Sequence, residues 1–165
     1  MIVMQNKVDL TRDLQLQSTT RSLPFLLLKA RESTVAPIRG MLADTDLTEQ
    51  QWRVLRVLAE FGPQDASHVA DRACLLISSL TRIAQTMRAK GLISETQDLN
   101  DRRRKNLAIT DKGVEIIERN RAEAGEIAKR FKKRLGDEEF ELLLDLLAKI
   151  ADPAEGGDKR HTGAR

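Results

Sequence analysis

Two clusters of polar and cationic side chains in this chain have types and spacings suited to recognising a charged polymer. The first is the run Arg102, Arg103, Arg104 and Lys105, which lies between two short β-prone segments. The second lies off the apolar stripe of a predicted helix and contains Ser78, Ser79, Thr81, Arg82, Gln85 and Arg88. Arginine pairs bidentately with guanine and glutamine with adenine, whereas serine and threonine suit phosphate or short base contacts. Both clusters therefore predict contacts with double-stranded DNA.

The basic run is predicted to form the tip of a β-hairpin. Its strands are expected within Leu92–Glu95 and Leu107–Thr110, on either side of the cations. Aspartates flank the arginines, and an acidic neighbour can hold one guanidinium while another reaches outward. A narrow, A·T-rich minor groove would attract the outward one. Arg102 or Arg104 is the better candidate for that role, with Arg103 bound back to an aspartate.

Helix start and stop signals place these clusters on a helix-turn-helix. Residues at spacings of three and four give the predicted helix over residues 77–90 one apolar face, formed by Ile77, Leu80, Ala84 and Met87. Gly91 is expected to end this helix. A shorter helix is predicted to begin at Asp65 or Ser67, and further upstream Thr48 and Gln51 have the spacing of a capping box. Helix-turn-helix and hairpin together predict a winged helix-turn-helix, with the second helix in the major groove.

The chain on either side of this lobe predicts dimerisation helices. Leu23–Leu28 is apolar, Pro37 predicts a kink or break in the same helix, and Phe140–Ile150 is apolar around much of its circumference. Both ends are expected to bury against each other and against a twofold-related copy. The expected fold class is mainly α with a small β-hairpin wing. The predicted divisions are a flexible N-terminal arm (1–20), a dimerisation helix (21–45), the winged helix-turn-helix lobe (46–110), dimerisation helices (111–151) and a disordered tail (152–165).

Bulk composition limits the class of partner and compartment. The 165 residues are 32% charged but carry a net charge of only +3, so nucleic-acid affinity must come from local clustering. Four phenylalanines, one tryptophan and no tyrosine argue against base-stacking platforms for single strands. A single cysteine cannot form an intrachain disulfide. With no apolar run near the roughly 20 residues of a membrane span and no hydrophobic signal region, the expected location is the cytoplasm.

Catalytic and metal chemistries are poorly supported. A metal site at His68 with Asp65 or Asp71 is disfavoured, because the chain has only one other histidine, His161. No serine or cysteine sits in a nucleophile context, and no glycine-rich phosphate loop exists. Cys74 has apolar neighbours, which favours a buried structural thiol over a redox switch. We expect no enzymatic activity, catalytic residue, metal or cofactor.

The order of these motifs resembles the MarR/SlyA family of bacterial transcription regulators, over roughly residues 21–150. The segments that carry the resemblance are Leu47–Leu55, Ser79–Arg82, Lys90–Ile93, Asp98–Arg104 and Leu107–Gly113. The segment Ser22–Glu32, followed by Met41–Ala43 and Leu47–Arg53, is similar to one branch of the family. That branch contains the repressors of homoprotocatechuate (4-hydroxyphenylacetate) degradation operons.

The resemblance implies a homodimer that binds a pseudo-palindromic operator and is released by a small phenolic or aromatic acid. Such ligands lodge between the dimerisation helices and the DNA-binding lobe, where Phe25, Arg39 and Trp52 are the candidate lining residues. No cysteine stands at the start of the first helix, unlike in the family's peroxide sensors. We therefore predict a repressor relieved by an aromatic acid. The alternatives are a winged-helix protein–protein adaptor and a nucleoid-type binder without sequence preference.

Overall fold

The computed structural model describes residues 18–97 and 105–152, and in this part of the chain it contains six α-helices and a three-stranded sheet. The chain divides into two compact units, residues 1–120 and 121–165. The predicted fold class is confirmed: the chain is mainly helical, with a small antiparallel sheet. Within the described residues, no helix is both long and apolar enough to cross a membrane. Of the four cations at 102–105, only Lys105 lies within the described residues.

The first unit opens with two helices that lead into the helix-turn-helix. Helix α1 spans Leu23–Met41 and is not interrupted at Pro37, so the predicted break does not occur there. Helix α2 spans Glu49–Phe61. Its predicted capping box is confirmed: the Thr48 hydroxyl accepts from the Gln51 amide at 3.2 Å, and the Gln51 side-chain oxygen accepts from the Thr48 amide at 3.1 Å. These bonds satisfy amide groups that the first turn of a helix leaves without partners.

The helix-turn-helix consists of α3, Ala66–Arg72, and α4, Ile77–Ala89. Of the two predicted starting residues, Asp65 is the cap: its carboxylate accepts from the backbone amides of Ser67 and His68. Gly91 follows the end of α4 with φ of 69°, which confirms the predicted stop. The apolar face of α4 is buried except at its first residue. Ile77 is 51% exposed, because the first turn of α4 extends beyond the core that covers the later turns.

The hairpin is part of a three-stranded sheet with order β1-β3-β2. Strands β2, Ile93–Gln97, and β3, Lys105–Ile109, pair antiparallel with Glu95 opposite Leu107, which confirms the predicted strands. The third strand, β1, is only Gln64–Asp65 and pairs with β3. The sequence did not predict β1, because two residues carry no alternating pattern. The core beneath the sheet is formed by fully buried side chains of α2, α3 and α4: Val54, Leu55, Leu58, Val69, Leu80 and Met87.

Cys74 corrects the prediction of a buried structural thiol. It is exposed, at the turn between α3 and α4, and its φ of 51° lies in the left-handed region that glycine prefers. Its apolar neighbours in sequence do not cover it, because Leu76 is also exposed while Ala73 alone of the turn is buried. The prediction from neighbouring residues was therefore wrong, because Ala73 and not Cys74 is the residue of the turn that faces the core.

The second unit contains the end of one long helix and all of the last. Helix α5 spans Asp111–Leu135 and α6 spans Asp137–Ala151, separated by Gly136 with φ of 89°. Lys132 ties the two helices together, since its ammonium lies 3.1 Å from the Glu141 carboxylate and 3.9 Å from that of Asp137. No residue of α6 is buried.

Candidate nucleic-acid interface

The polar side chains predicted to recognise DNA lie together along α4. Leu80, Ala84 and Met87 anchor one face of this helix in the core. The predicted contact residues lie off that face: Ser78, Thr81, Arg82, Gln85 and Arg88 are exposed, and Ser79 is half-buried. Because a helix presents a fixed surface only when its opposite face is held, the buried stripe gives these groups defined positions. Helix α4 is therefore the candidate recognition helix.

These exposed groups differ in how free they are to bind a ligand. No hydrogen bond or ion pair with another described residue engages the guanidinium of Arg82 or the side-chain amide of Gln85. The Thr81 hydroxyl donates to the Ile77 carbonyl at 3.0 Å, so it offers a partner only its oxygen as an acceptor. Arg82 and Gln85 are thus the two α4 side chains best able to read base edges.

The start of α2 adds polar groups that the sequence analysis did not assign to the interface. A cavity of about 510 Å³ lies between the start of α2 and the exposed face of α4. Thr48 and Gln50 line it on the α2 side, and Ser78, Ser79 and Arg82 line it on the α4 side. Sequence reasoning treated Thr48 only as a helix cap and overlooked Gln50, since the two helices come together only in the folded lobe.

Only the base of the predicted wing lies within the described residues. Arg102, Arg103 and Arg104 fall outside them, so their predicted roles stay predictions. Lys105 is the first residue of β3, and its ammonium donates to the Glu95 carboxylate at 3.2 Å. The other oxygen of that carboxylate is paired with Arg88 of α4. Two of the predicted DNA contacts therefore share one acidic partner.

The two cations keep Glu95 ionised. The hydrogen bond from Lys105 is the largest effect and lowers the pKa of the Glu95 carboxyl below its usual value. Burial opposes it, and the positive charge of Arg88 adds a smaller lowering effect. A carboxyl whose pKa is lowered on folding contributes stability above its unfolded pKa and loses that contribution as the pH falls through the lowered value. The Arg88–Glu95–Lys105 cluster is consequently intact at neutral pH.

Arg53 of α2 supports the turn of the helix-turn-helix from behind. Its guanidinium donates to the carbonyls of Ala73 and, at 3.1 Å, Cys74. Its Nε lies 2.7 Å from the carboxylate of Glu49, one helical turn earlier. Hydrogen bonds from a charged group are about twice as strong as neutral ones. Arg53 thereby fixes the turn, with its left-handed Cys74, at the start of α4.

The three predicted ligand-lining residues lie in different settings. Trp52 is only 5% exposed and belongs to the core of the lobe, whereas Phe25 is 48% exposed on α1. Arg39 forms an ion pair with Glu32 and lines a cavity of about 590 Å³ at the junction of α1, α2 and α4. Neither Phe25 nor Trp52 lines that cavity. Of the three predicted residues, only Arg39 lines this cavity in the single chain.

A helix-turn-helix followed by an antiparallel hairpin, with an anchored polar recognition helix, defines a winged-helix DNA-binding protein. The sequence model of the MarR family matches residues 47–105, which run from the start of α2 to the base of the wing. Relatives over most of the chain agree with this match. The chain belongs to the MarR family of transcription regulators.

Two relatives and one solved structure show how far the similarity extends. The chain is 37% identical to the HTH-type transcriptional regulator FarR of Neisseria gonorrhoeae over 82% of its length and 92% of FarR. It is 34% identical to the homoprotocatechuate degradative operon repressor of Escherichia coli, over 76% of this chain and 85% of that repressor. The crystal structure of NadR in complex with 4-hydroxyphenylacetate matches with a TM-score of 0.74 and 36% identity, covering 83% of this chain and 97% of NadR. Both of these curated relatives are regulators of transcription.

Proposed function

We propose that this chain is a homodimeric, sequence-specific repressor that binds a pseudo-palindromic operator in the cytoplasm and is released by a small aromatic acid. The DNA-binding part of this proposal rests on one observation. The side chains of Arg82 and Gln85 are exposed and bonded to no other described residue, on a helix whose opposite face is buried. In a winged-helix dimer, two such helices enter successive major grooves at half-sites about 10 base pairs apart. The wing, with Arg102, Arg103 and Arg104, would reach the minor groove or backbone.

Uncovered apolar surface supports the dimer. On α1, the side chains of Leu23, Phe25, Leu26 and Leu28 are all exposed. On α6, six large apolar side chains are 37–56% exposed: Leu142, Leu143, Leu144, Leu146, Leu147 and Ile150. Contiguous apolar patches of this kind mark surfaces that another chain covers. A second copy of this chain is the proposed occupant of both faces, as a closed twofold dimer buries the same patch on each subunit.

The relatives support the aromatic-acid effector. NadR was solved in complex with 4-hydroxyphenylacetate, and the Escherichia coli relative is a repressor of a homoprotocatechuate degradative operon. In this chain the Arg39 guanidinium can meet a carboxylate in the cavity that it lines, whereas Phe25 and Trp52 lie outside that cavity in the single chain. The effector must favour a conformer whose lobe spacing does not match the operator, because a ligand with equal affinity for both conformers changes nothing.

Arg82→Ala tests the recognition assignment. Loss of a bidentate contact to guanine is expected to remove about 1–3 kcal/mol of discrimination between the operator and a scrambled duplex. Fluorescence anisotropy on DNA from upstream of the protein's own gene, against that scrambled duplex, measures the change. Arg134→Ala removes the same charge from the end of α5 and serves as the control. Unchanged affinity and site preference in Arg82→Ala would refute the assignment of α4.

The same assay tests the effector. 4-Hydroxyphenylacetate or 3,4-dihydroxyphenylacetate is expected to release the operator, and Arg39→Gln should weaken the apparent affinity for the acid by about 1.5–3 kcal/mol, the value of a hydrogen bond to a charged group. Arg31→Gln, on the same helix, is the matched control. If neither acid releases the wild-type protein, the aromatic-acid part of the proposal fails while operator binding stands.

One observation favours a second candidate function, a winged-helix adaptor that binds another protein. Leu76 and Ile77 are exposed at the start of α4, where an adaptor would present an apolar patch. In the DNA-binding function the same two side chains can contact thymine methyl groups. DNA affinity that falls steeply with salt separates the two, since an adaptor has no counterions to release from DNA.

A further inference from the structure

The cluster of Glu95, Arg88 and Lys105 places a carboxylate inside the candidate DNA interface. Arg88 lies in the last turn of α4, Glu95 on β2 and Lys105 at the start of β3, so the cluster joins the recognition helix to the base of the wing. Each oxygen of Glu95 is paired with a different cation. A carboxylate repels DNA phosphates, so its position beside two predicted DNA contacts requires an explanation.

We propose that Glu95 holds Arg88 and Lys105 back from phosphates and thereby limits sequence-independent DNA binding. This inference rests on the proposed DNA-binding function. Non-specific affinity comes from cations that neutralise phosphates, and each such contact steepens its salt dependence. While Glu95 occupies both cations, a phosphate must displace it to gain either of them.

The base-reading groups are outside this restraint. Neither Arg82 nor Gln85 is held by another described residue, so Glu95 restrains charge without blocking the side chains that discriminate sequence. A regulator must find its operator among a great excess of non-specific sites, and affinity for those sites lowers its occupancy of the operator. Restraining two cations at the interface lowers that competing affinity.

A purely structural role for Glu95 predicts the opposite result. If the carboxylate served only to hold the wing base against α4, its loss would loosen the interface and weaken binding to every duplex. Glu95→Gln separates the two roles because it keeps the size and shape of the side chain while removing its charge. Exposed ion pairs contribute little to stability, so the variant is expected to fold. Thermal unfolding of the variant verifies this.

The test is fluorescence anisotropy on the scrambled duplex between 50 and 200 mM salt, with the full chain. Freeing two cations is expected to steepen the slope of log affinity against log salt by about 2. Across that salt range the variant should therefore lose roughly ten times more affinity than the wild type loses. At the low-salt end it should bind the duplex more tightly than the wild type. Glu126→Gln is the matched control, because Glu126 pairs with Lys129 at 2.7 Å in the second unit. It is expected to leave slope and affinity unchanged.

A second variant keeps the proposal falsifiable. In an Arg88→Ala, Lys105→Ala background, Glu95→Gln should no longer change the slope, because the cations that it would release are absent. A wild-type slope in Glu95→Gln alone, or weaker binding to the scrambled duplex, overturns the inference while leaving operator binding intact. Wild-type protein that binds neither operator nor scrambled duplex overturns the proposed function itself.

Discussion

Leu143→Glu with Leu147→Glu is expected to convert the protein to a monomer and to lower operator affinity by at least about 100-fold, since bivalent binding raises affinity by 10²–10⁴ over a single site. Both leucines are exposed on α6, where the described chain buries no residue of the helix. Charges in a face that a second copy covers would be desolvated without partners, at a cost of several kcal/mol for each ion.

Sedimentation velocity measures the change of mass, and anisotropy measures the affinity. Asp145→Glu with Lys149→Glu places two glutamates at exposed polar positions of the same helix and is expected to stay dimeric. Circular dichroism verifies that α6 remains helical in both variants. A dimer that persists in the leucine variant, with wild-type operator affinity, would remove α6 from the proposed interface.

Gly113→Ala is expected to destabilise the protein, because the added methyl group has no room at the start of α5. A Cβ at this position would lie 2.5 Å from the Leu92 carbonyl oxygen and 2.7 Å from Cγ1 of Ile109, with a Leu55 methyl at 3.2 Å. The first of these is backbone and cannot rotate away, so the start of α5 must move off the sheet. Overpacking of this kind costs about 1–3 kcal/mol, which lowers the Tm by about 2–4 °C per kcal/mol in a chain of this size.

Gly125→Ala is the control for this prediction, on the same helix. A Cβ at Gly125 meets nothing within 4 Å. The better helix propensity of alanine should therefore stabilise this variant by about 0.8–1 kcal/mol. Thermal and urea unfolding of the two variants should give changes of opposite sign. A Gly113→Ala protein as stable as the wild type would mean that α5 does not approach Leu92 so closely.

Hydrogen bonds at both ends of α4 position the recognition helix in the lobe. The Thr110 hydroxyl, at the start of α5, donates to the Gly91 carbonyl at 2.7 Å, and the Lys112 ammonium donates to the Lys90 carbonyl at 2.8 Å. These bonds hold the end of α4, while Arg53 holds the turn before its start. Both ends of α4 are thus tied to neighbouring elements, and its exposed face is presented at a defined angle.

The sequence alone determined the features that depend on neighbours in the chain. The capping box of Thr48 and Gln51 and the stop at Gly91 rest on residues only a few positions apart, so their spacing contains the necessary information. For the start of α3 the sequence left Asp65 and Ser67 open, and the structure selects Asp65. Strong apolar periodicity likewise identified the buried face of α4 and, by difference, its polar face. The hairpin and the family resemblance followed from the same short segments.

Only the tertiary structure decided the features that join distant segments. The two-residue strand β1 exists because β3 lies beside it, and the exposure of Cys74 depends on how α3 meets α4. The pairing of Glu95 with both Arg88 and Lys105 could not be read from the sequence, because three separate elements supply the charges. Burial and pairing depend on which surfaces meet in space, and a local pattern records only which residues are able to meet.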